Sequence, residues 1–215
     1  MTMPSDSVTA LDQASAASPA SASDAAGAAR SRPTVPHIPG EAGIWIFIFG
    51  DMSLYIALAV SFMADRRKQV EAFTSSANHL HIDFGAINAV LLLISSLLVA
   101  LGVQAVRRNI PKYGEWMFAG AFVCGAGFVL NKYFEYSSLV RAGITPTTNI
   151  FYSYYFMLTG IHLTHLIAGM CVLAYMYRAA KRNPAPTTAI ESGASFWHAV
   201  DLLWMILFAL LYLVR

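Results

Sequence analysis

The chain has 215 residues, of which 57% are apolar and 12% charged, and a formal net charge of +2. Soluble domains carry about 25% charged residues, so this composition excludes a fold that exposes most of its surface to water. With a charge so near neutral and no basic cluster beside a recognition motif, nucleic-acid binding is excluded as well.

Residues 1–36 are dominated by alanine and serine, have no aromatic residue, and scatter Asp6, Asp12 and Asp24 through the stretch. Such a segment cannot bury enough apolar surface to order itself and is expected to be a disordered tail. It lacks the basic start and apolar core of a signal peptide, and its acids fit poorly with a transit peptide. From residue 37 to 215 the sequence reads as one all-α integral membrane domain. Five apolar runs, at Ile44–Met63, Phe84–Val106, Trp116–Tyr136, Phe151–Tyr177 and Ser195–Val214, are each near the roughly 20 residues that cross the hydrocarbon of a bilayer.

The first run carries Asp51 near its centre. A carboxylate at that depth must be neutral, paired or turned to a cavity, and Tyr55 lies one turn on, within bonding reach. It reads first as a group that docks the helix and second as a proton carrier. Ahead of the second run, His79, His81 and Asp83 are closely spaced. A metal centre needs three or four convergent ligands, so a solvated interfacial turn is expected there. Within the second run, Asn88, Ser95 and Ser96 are the small or polar groups of close helix contacts.

The third run passes Cys124 and ends near Lys132, Glu135 and Tyr136. Lys132 and Glu135, one turn apart, are expected to pair, with the lysine snorkelling to the interface and Glu135 and Tyr136 partly wet. Cys124 and Cys171 form no CxxC and read as small core residues.

The fourth run places His162 and His165 three residues apart, on a stripe with Tyr155, Leu158 and Gly169. Polar groups at mid-membrane cost a few kcal/mol each unless they face other helices. The fifth run repeats the device with His198 and Asp201, between Trp197 and Trp204. These two helices are therefore expected to share a wet or hydrogen-bonded seam. Glu135, His162, His165 and His198 could instead converge as a metal site. The paired Glu-x-x-His motifs of di-metal bundles are absent, so no metal is expected and hydrogen-bonded histidines are. A third reading, a small proton-coupled transporter built on Asp51, lacks the internal repeat of such proteins.

The basic residues Arg107, Arg108, Lys112, Arg178, Lys181 and Arg182, with two more in the tail, outnumber Arg66, Arg67, Lys68, Arg141 and Arg215 on the other side. The positive-inside rule then puts the N-terminus in the cytoplasm and, with five spans, the C-terminus outside.

Together these residues resemble subunit III of the haem–copper oxidases, the cytochrome c oxidase and quinol oxidase subunit III family. That family's TG-x-H-G-x-H-V-x-x-G is similar to the stretch from Thr159, Gly160 and His162 through Leu163 and His165 to Gly169. Its W-H-F-x-D-x-x-W is similar to Trp197, His198, Ala199, Asp201 and Trp204, and Glu135-Tyr136, Asn88 and Asp51 match in order on the other helices. Leu163 and Ala199 stand where a glycine and a phenylalanine are usual, and Asp51 where the mitochondrial type has glutamate.

The resemblance implies a five-helix bacterial subunit of the inner membrane, in respiratory electron transport and not itself an enzyme. Its partner would be a catalytic subunit I-like protein holding haem and copper or iron; the chain itself would hold phospholipid but no metal, and would support proton uptake. Asp51, Glu135, His162, His165, His198 and Asp201 become buried polar groups, related to lipid or proton. Asn88, Tyr136, Gly160, Gly169, Trp197 and Trp204 become packing residues. The first run also resembles a branch associated with nitric oxide reductase, which makes an accessory role in that complex the alternative.

Overall fold

The computed structural model describes residues 42–78, 80, 82–182 and 185–213, so the tail, His79 and His81 lie outside the described residues. Every regular element among them is helical: α1 (Ala42–Lys68), α2 (Val70–Asn78), α3 (Ile82–Arg107), α4 (Pro111–Arg141), α5 (Ile150–Ala180) and α6 (Thr187–Phe208). A single π-helical turn, Ala209–Leu213, continues α6. All but α2 are long and apolar enough to cross a membrane. The helices extend past the apolar runs because polar flanking residues, such as Arg66 to Lys68, prolong them beyond the hydrocarbon.

Helices α3, α4, α5 and α6 close a ring in which each packs on the next and α6 returns to α3. The α3–α4 hairpin is the most intimate pair. Its turn runs through Asn109 in the left-handed region, φ 56°, before Pro111 opens α4. Gly102 lets the backbones approach, since a Cβ there would stand 2.7 Å from the Phe118 ring. Ser95 Oγ donates to the Ala121 carbonyl at 3.0 Å, and Asn131 Nδ2 donates to Asn88 Oδ1 at 2.8 Å. Small and amide-bearing residues are what such close, lipid-shielded contacts require.

Helix α1 stands outside the ring and rests mainly on α6 and α5. The nine-residue α2, which falls in a connection of the sequence reading, lies across the start of α5. Phe73 inserts between Phe62 and Phe151, with ring centroids at 5.3 and 5.7 Å. Asn149, which caps α5 by accepting from Tyr152 N, donates to Ser76 Oγ at 2.7 Å. Hydropathy overlooks α2 because its inward stripe of Phe73, Ser76 and Ala77 is too mixed to register as apolar.

The core is aromatic, with Trp197, Trp204, Tyr155, Phe118 and Phe128 all shielded. Large apolar side chains such as Ile46, Trp116 and Val123 point outward, as a lipid-facing surface demands. Cys171 is exposed and Cys124 half-buried, so neither is the core residue expected. Cys171 lies on the outer side of its helix, where apolar sequence means lipid and not core, and Cys124 lies at the margin of the buried stripe.

Candidate functional site: the buried polar groups of the bundle

Lys132 on α4 points into the ring and is 1% exposed, so it does not snorkel. Its ammonium donates to Glu135 Oε2 at 2.8 Å, to Tyr155 Oη at 3.0 Å and to Tyr212 Oη at 3.1 Å. Those three acceptors satisfy its three N–H groups. Both tyrosine hydroxyls donate in turn to Glu135 Oε1. The same ammonium lies 4.8–5.7 Å from the ring centroids of Tyr155, Trp204, Tyr136 and Tyr212, within cation–π range. Glu135 is 2% exposed and not wet as expected. An ion pair can be buried at this depth only when its remaining lone pairs and protons are bonded, and here they are.

Two features aim these groups. The Lys132–Glu135 spacing of one turn puts both on the ring-facing side of α4. The π-turn widens the end of α6 and brings Tyr212 inward, beside Gly85 of α3, where a Cβ would stand 3.1 Å from the Tyr212 ring. Tyr136 extends the network by donating to Thr159 Oγ1 at 2.6 Å, since that hydroxyl donates its own proton to the Tyr155 carbonyl.

The two histidines of α5 part company. His162 is fully buried between Phe128 and Trp204, at centroid distances of 5.6 and 5.2 Å. Neither of its ring nitrogens has a partner among the described residues, and the indole N–H groups of Trp197 and Trp204 are likewise unpaired. The expected hydrogen-bonded seam between α5 and α6 is therefore an aromatic one. Spacing by three residues turns the helix through about 300°, which leaves His165 some 60° away, toward α1. There His165 Nε2 meets Asp51 Oδ1 at 3.2 Å, and its Nδ1 lies 2.9 Å from the Ile161 carbonyl. A carbonyl only accepts, so Nδ1 is the ring nitrogen that donates to Ile161, and Nε2 is the one turned to Asp51. Tyr55, expected to bond Asp51, has no partner for its hydroxyl among the described residues; its ring meets His165 edge-on at 6.2 Å.

On α6, His198 and Asp201 face α3. Ser96 Oγ lies 2.7 Å from His198 Nδ1 and also interacts with Asp201. Gly169 meets α6 closely, a Cβ there standing 2.8 Å from Trp197. Gly160, expected at a helix contact, has open space around it, because its side of α5 faces away from the ring. Glu135, His162, His165 and His198 thus turn to different partners instead of converging. Among the described residues no group of three or more His, Cys, Asp or Glu is placed to hold a metal ion. Tyr155, Tyr212 and Ser96 are the partners the sequence left unassigned. Tyr155 already shared the His162 stripe, but Tyr212 carries no local signal, since only the π-turn brings it inward.

The Lys132–Glu135 network and the Asp51–His165 contact are both built inside a five-span helical frame, and comparison with known proteins agrees with that frame. The family described as cytochrome c oxidase subunit III matches residues 40–214. The chain belongs to that family. Cytochrome c oxidase subunit 3 of Corynebacterium diphtheriae is 26% identical over 193 residues, covering 87% of this chain and 92% of the relative. Cytochrome bo(3) ubiquinol oxidase subunit 3 of Pseudomonas putida is 29% identical over 177 residues, covering 80% and 84%. Quinol oxidase subunit 3 of Bacillus subtilis is 27% identical over 175 residues, covering 80% and 85%. The subunit III family match spans all five membrane helices, so the Asp51–His165 contact and the Lys132–Glu135 network both lie within its frame.

Proposed function

We propose that this chain is the non-catalytic membrane subunit of a bacterial haem–copper oxidase. It binds a larger catalytic subunit that carries the haem and copper, and it steadies that subunit and its proton uptake. The observation that carries this reading is a subunit III match along the whole described bundle, in which Lys132 pairs with Glu135 and Asp51 with His165. The outward face of α1 suits the docking surface: Gly50, Ser53, Ala57, Ser61 and Ala64 recur at helical spacing and are all exposed. The hydroxyls of Ser53 and Ser61 return to their own helix, leaving a small, smooth stripe fit for close helix contact.

Between α1 and α6 runs a groove of about 400 Å³ lined by Met52, Tyr55, Ala59, Met63 and Leu203, with Arg67 at its mouth. Its apolar walls and single cation suit a phospholipid, and Tyr55 links it to the Asp51–His165 pair, the group we assign to proton uptake. More basic residues gather at the α3–α4 and α5–α6 connections than at the opposite end, which supports a cytoplasmic N-terminus.

Purification of the tagged full chain in mild detergent, followed by a haem spectrum and copper analysis, tests the assignment. A co-purifying subunit with haem and copper is expected. Haem with non-haem iron in place of copper would move the chain to a nitric oxide reductase, the partner suggested by its first span. A stable, lipid-saturated monomer that never associates with a haem subunit would overturn both.

A further inference from the structure

A second groove lies on the far side of the ring, between α4 and α5, with a volume of about 330 Å³. Phe118 and Leu173 form its floor, and Ala119, Phe122, Val123 and Ala174 its walls. The lining is hydrocarbon until the last turn of α5, where Tyr177 and Arg178 close the end. Arg178 is exposed and has no ion pair among the described residues. Just beyond, Lys181 donates to Tyr177 Oη at 2.9 Å and sits 4.3 Å from the centre of that ring. The Tyr177 hydrogen bond raises the lysine above its usual pKa, so it stays charged at neutral pH. Arg182 follows, also exposed, and the nearest carboxylate is Glu115, 3.8 Å from Lys181. Three cations against one carboxylate leave the mouth of an apolar trough positively charged.

We propose that this groove binds one acidic phospholipid, with an acyl chain along the Phe118–Leu173 floor and the phosphodiester against Arg178 and Lys181. A basic mouth between membrane helices is the chemistry that selects anionic headgroups. The guanidinium can engage two phosphate oxygens at once, while the tyrosine-held ammonium supplies a fixed point charge. The excess of positive charge also decides the headgroup, because the ammonium of a zwitterionic lipid would be repelled where an acidic headgroup is attracted. The site is separate from the α1–α6 groove and does not depend on which catalytic subunit the chain serves.

The test uses the full chain with its co-purifying subunits, delipidated and returned to nanodiscs of phosphatidylcholine alone or with a minority of phosphatidylglycerol. Native mass spectrometry then reads the lipid retained. One phosphatidylglycerol per chain should survive at activation energies that strip phosphatidylcholine. The paired change Arg178→Gln and Lys181→Gln should lower that retention about tenfold or more, at roughly 1 kcal/mol per basic residue. Ala174→Phe should lower it as far by filling the groove while leaving every charge in place. Arg67→Gln, in the other groove, should leave it unchanged. Equal retention of the two lipids, or phosphatidylglycerol retention that survives either the double glutamine change or Ala174→Phe, would overturn the proposal.

Discussion

At the scale of single residues, the strongest constraint in the bundle is the closed network around Lys132. Lys132→Met removes the counter-ion of a glutamate that is 2% exposed and should cost about 3–5 kcal/mol. Adding Glu135→Gln should recover much of that loss, since no buried charge then lacks a partner. Thermal melts of the two variants in one detergent check the pair: a double variant no more stable than Lys132→Met would contradict it. The Asp51–His165 contact should be milder. Asp51→Asn keeps a hydrogen-bonding group beside Nε2 and should leave assembly intact, whereas Asp51→Leu should weaken the docking of α1 by about 1 kcal/mol. His162 behaves in the opposite sense. With neither ring nitrogen engaged, His162→Leu should fall within about 1.5 kcal/mol of the parent, as volume-conserving core changes do. His162→Gln, which brings an amide into the same aromatic box, should be the less stable of the two by the same melts.

At the scale of elements, hydropathy located all five spanning helices, because each carries a long enough apolar run to register alone. It could not show α2, nine residues long with Phe73, Ser76 and Ala77 the buried ones among its described side chains. Phe73→Ala should cost about 3 kcal/mol and release this element. Amide exchange over residues 70–78 should rise while α3 to α6 stay protected. The pairing of polar groups was legible only in part. Lys132 with Glu135 is a local, one-turn relation and was readable. Asp51 with His165, and Ser96 with His198, join helices distant in sequence, and nothing within either helix says which neighbour a given face will meet. The stripe joining His162 to His165 suggested one shared environment, yet an offset of some 60° between them was enough to divide it between aromatic core and ion contact. Where the reading leaned on apolar context alone, as for Cys171, it could not separate lipid from core.

At the scale of the whole molecule, burial is uneven. Only 11% of the most apolar stretch of α1 is buried, against 44% for the last helix. A ring of four helices that is complete without α1 leaves that helix to be held by whatever lies outside it. Ala57→Leu combined with Ser61→Leu should therefore lower co-purification with the haem subunit several-fold. The melting of the isolated chain should hardly change, because both positions are exposed in it. An equal loss in both measurements would mean that the stripe belongs to the internal packing.

The Lys132 network also sets an order of events during synthesis. The lysine and its glutamate emerge together, but Tyr155 follows 23 residues later and Tyr212 80 residues after Lys132. Until α6 and its π-turn arrive, α4 holds an ammonium whose third acceptor has not yet been made. An unfinished bundle therefore carries a polarity defect at membrane depth that the finished one does not. The insertion machinery has a chemical reason to retain α4 until the chain has passed Tyr212, and membrane proteases have a feature by which to recognise chains that stop short of it.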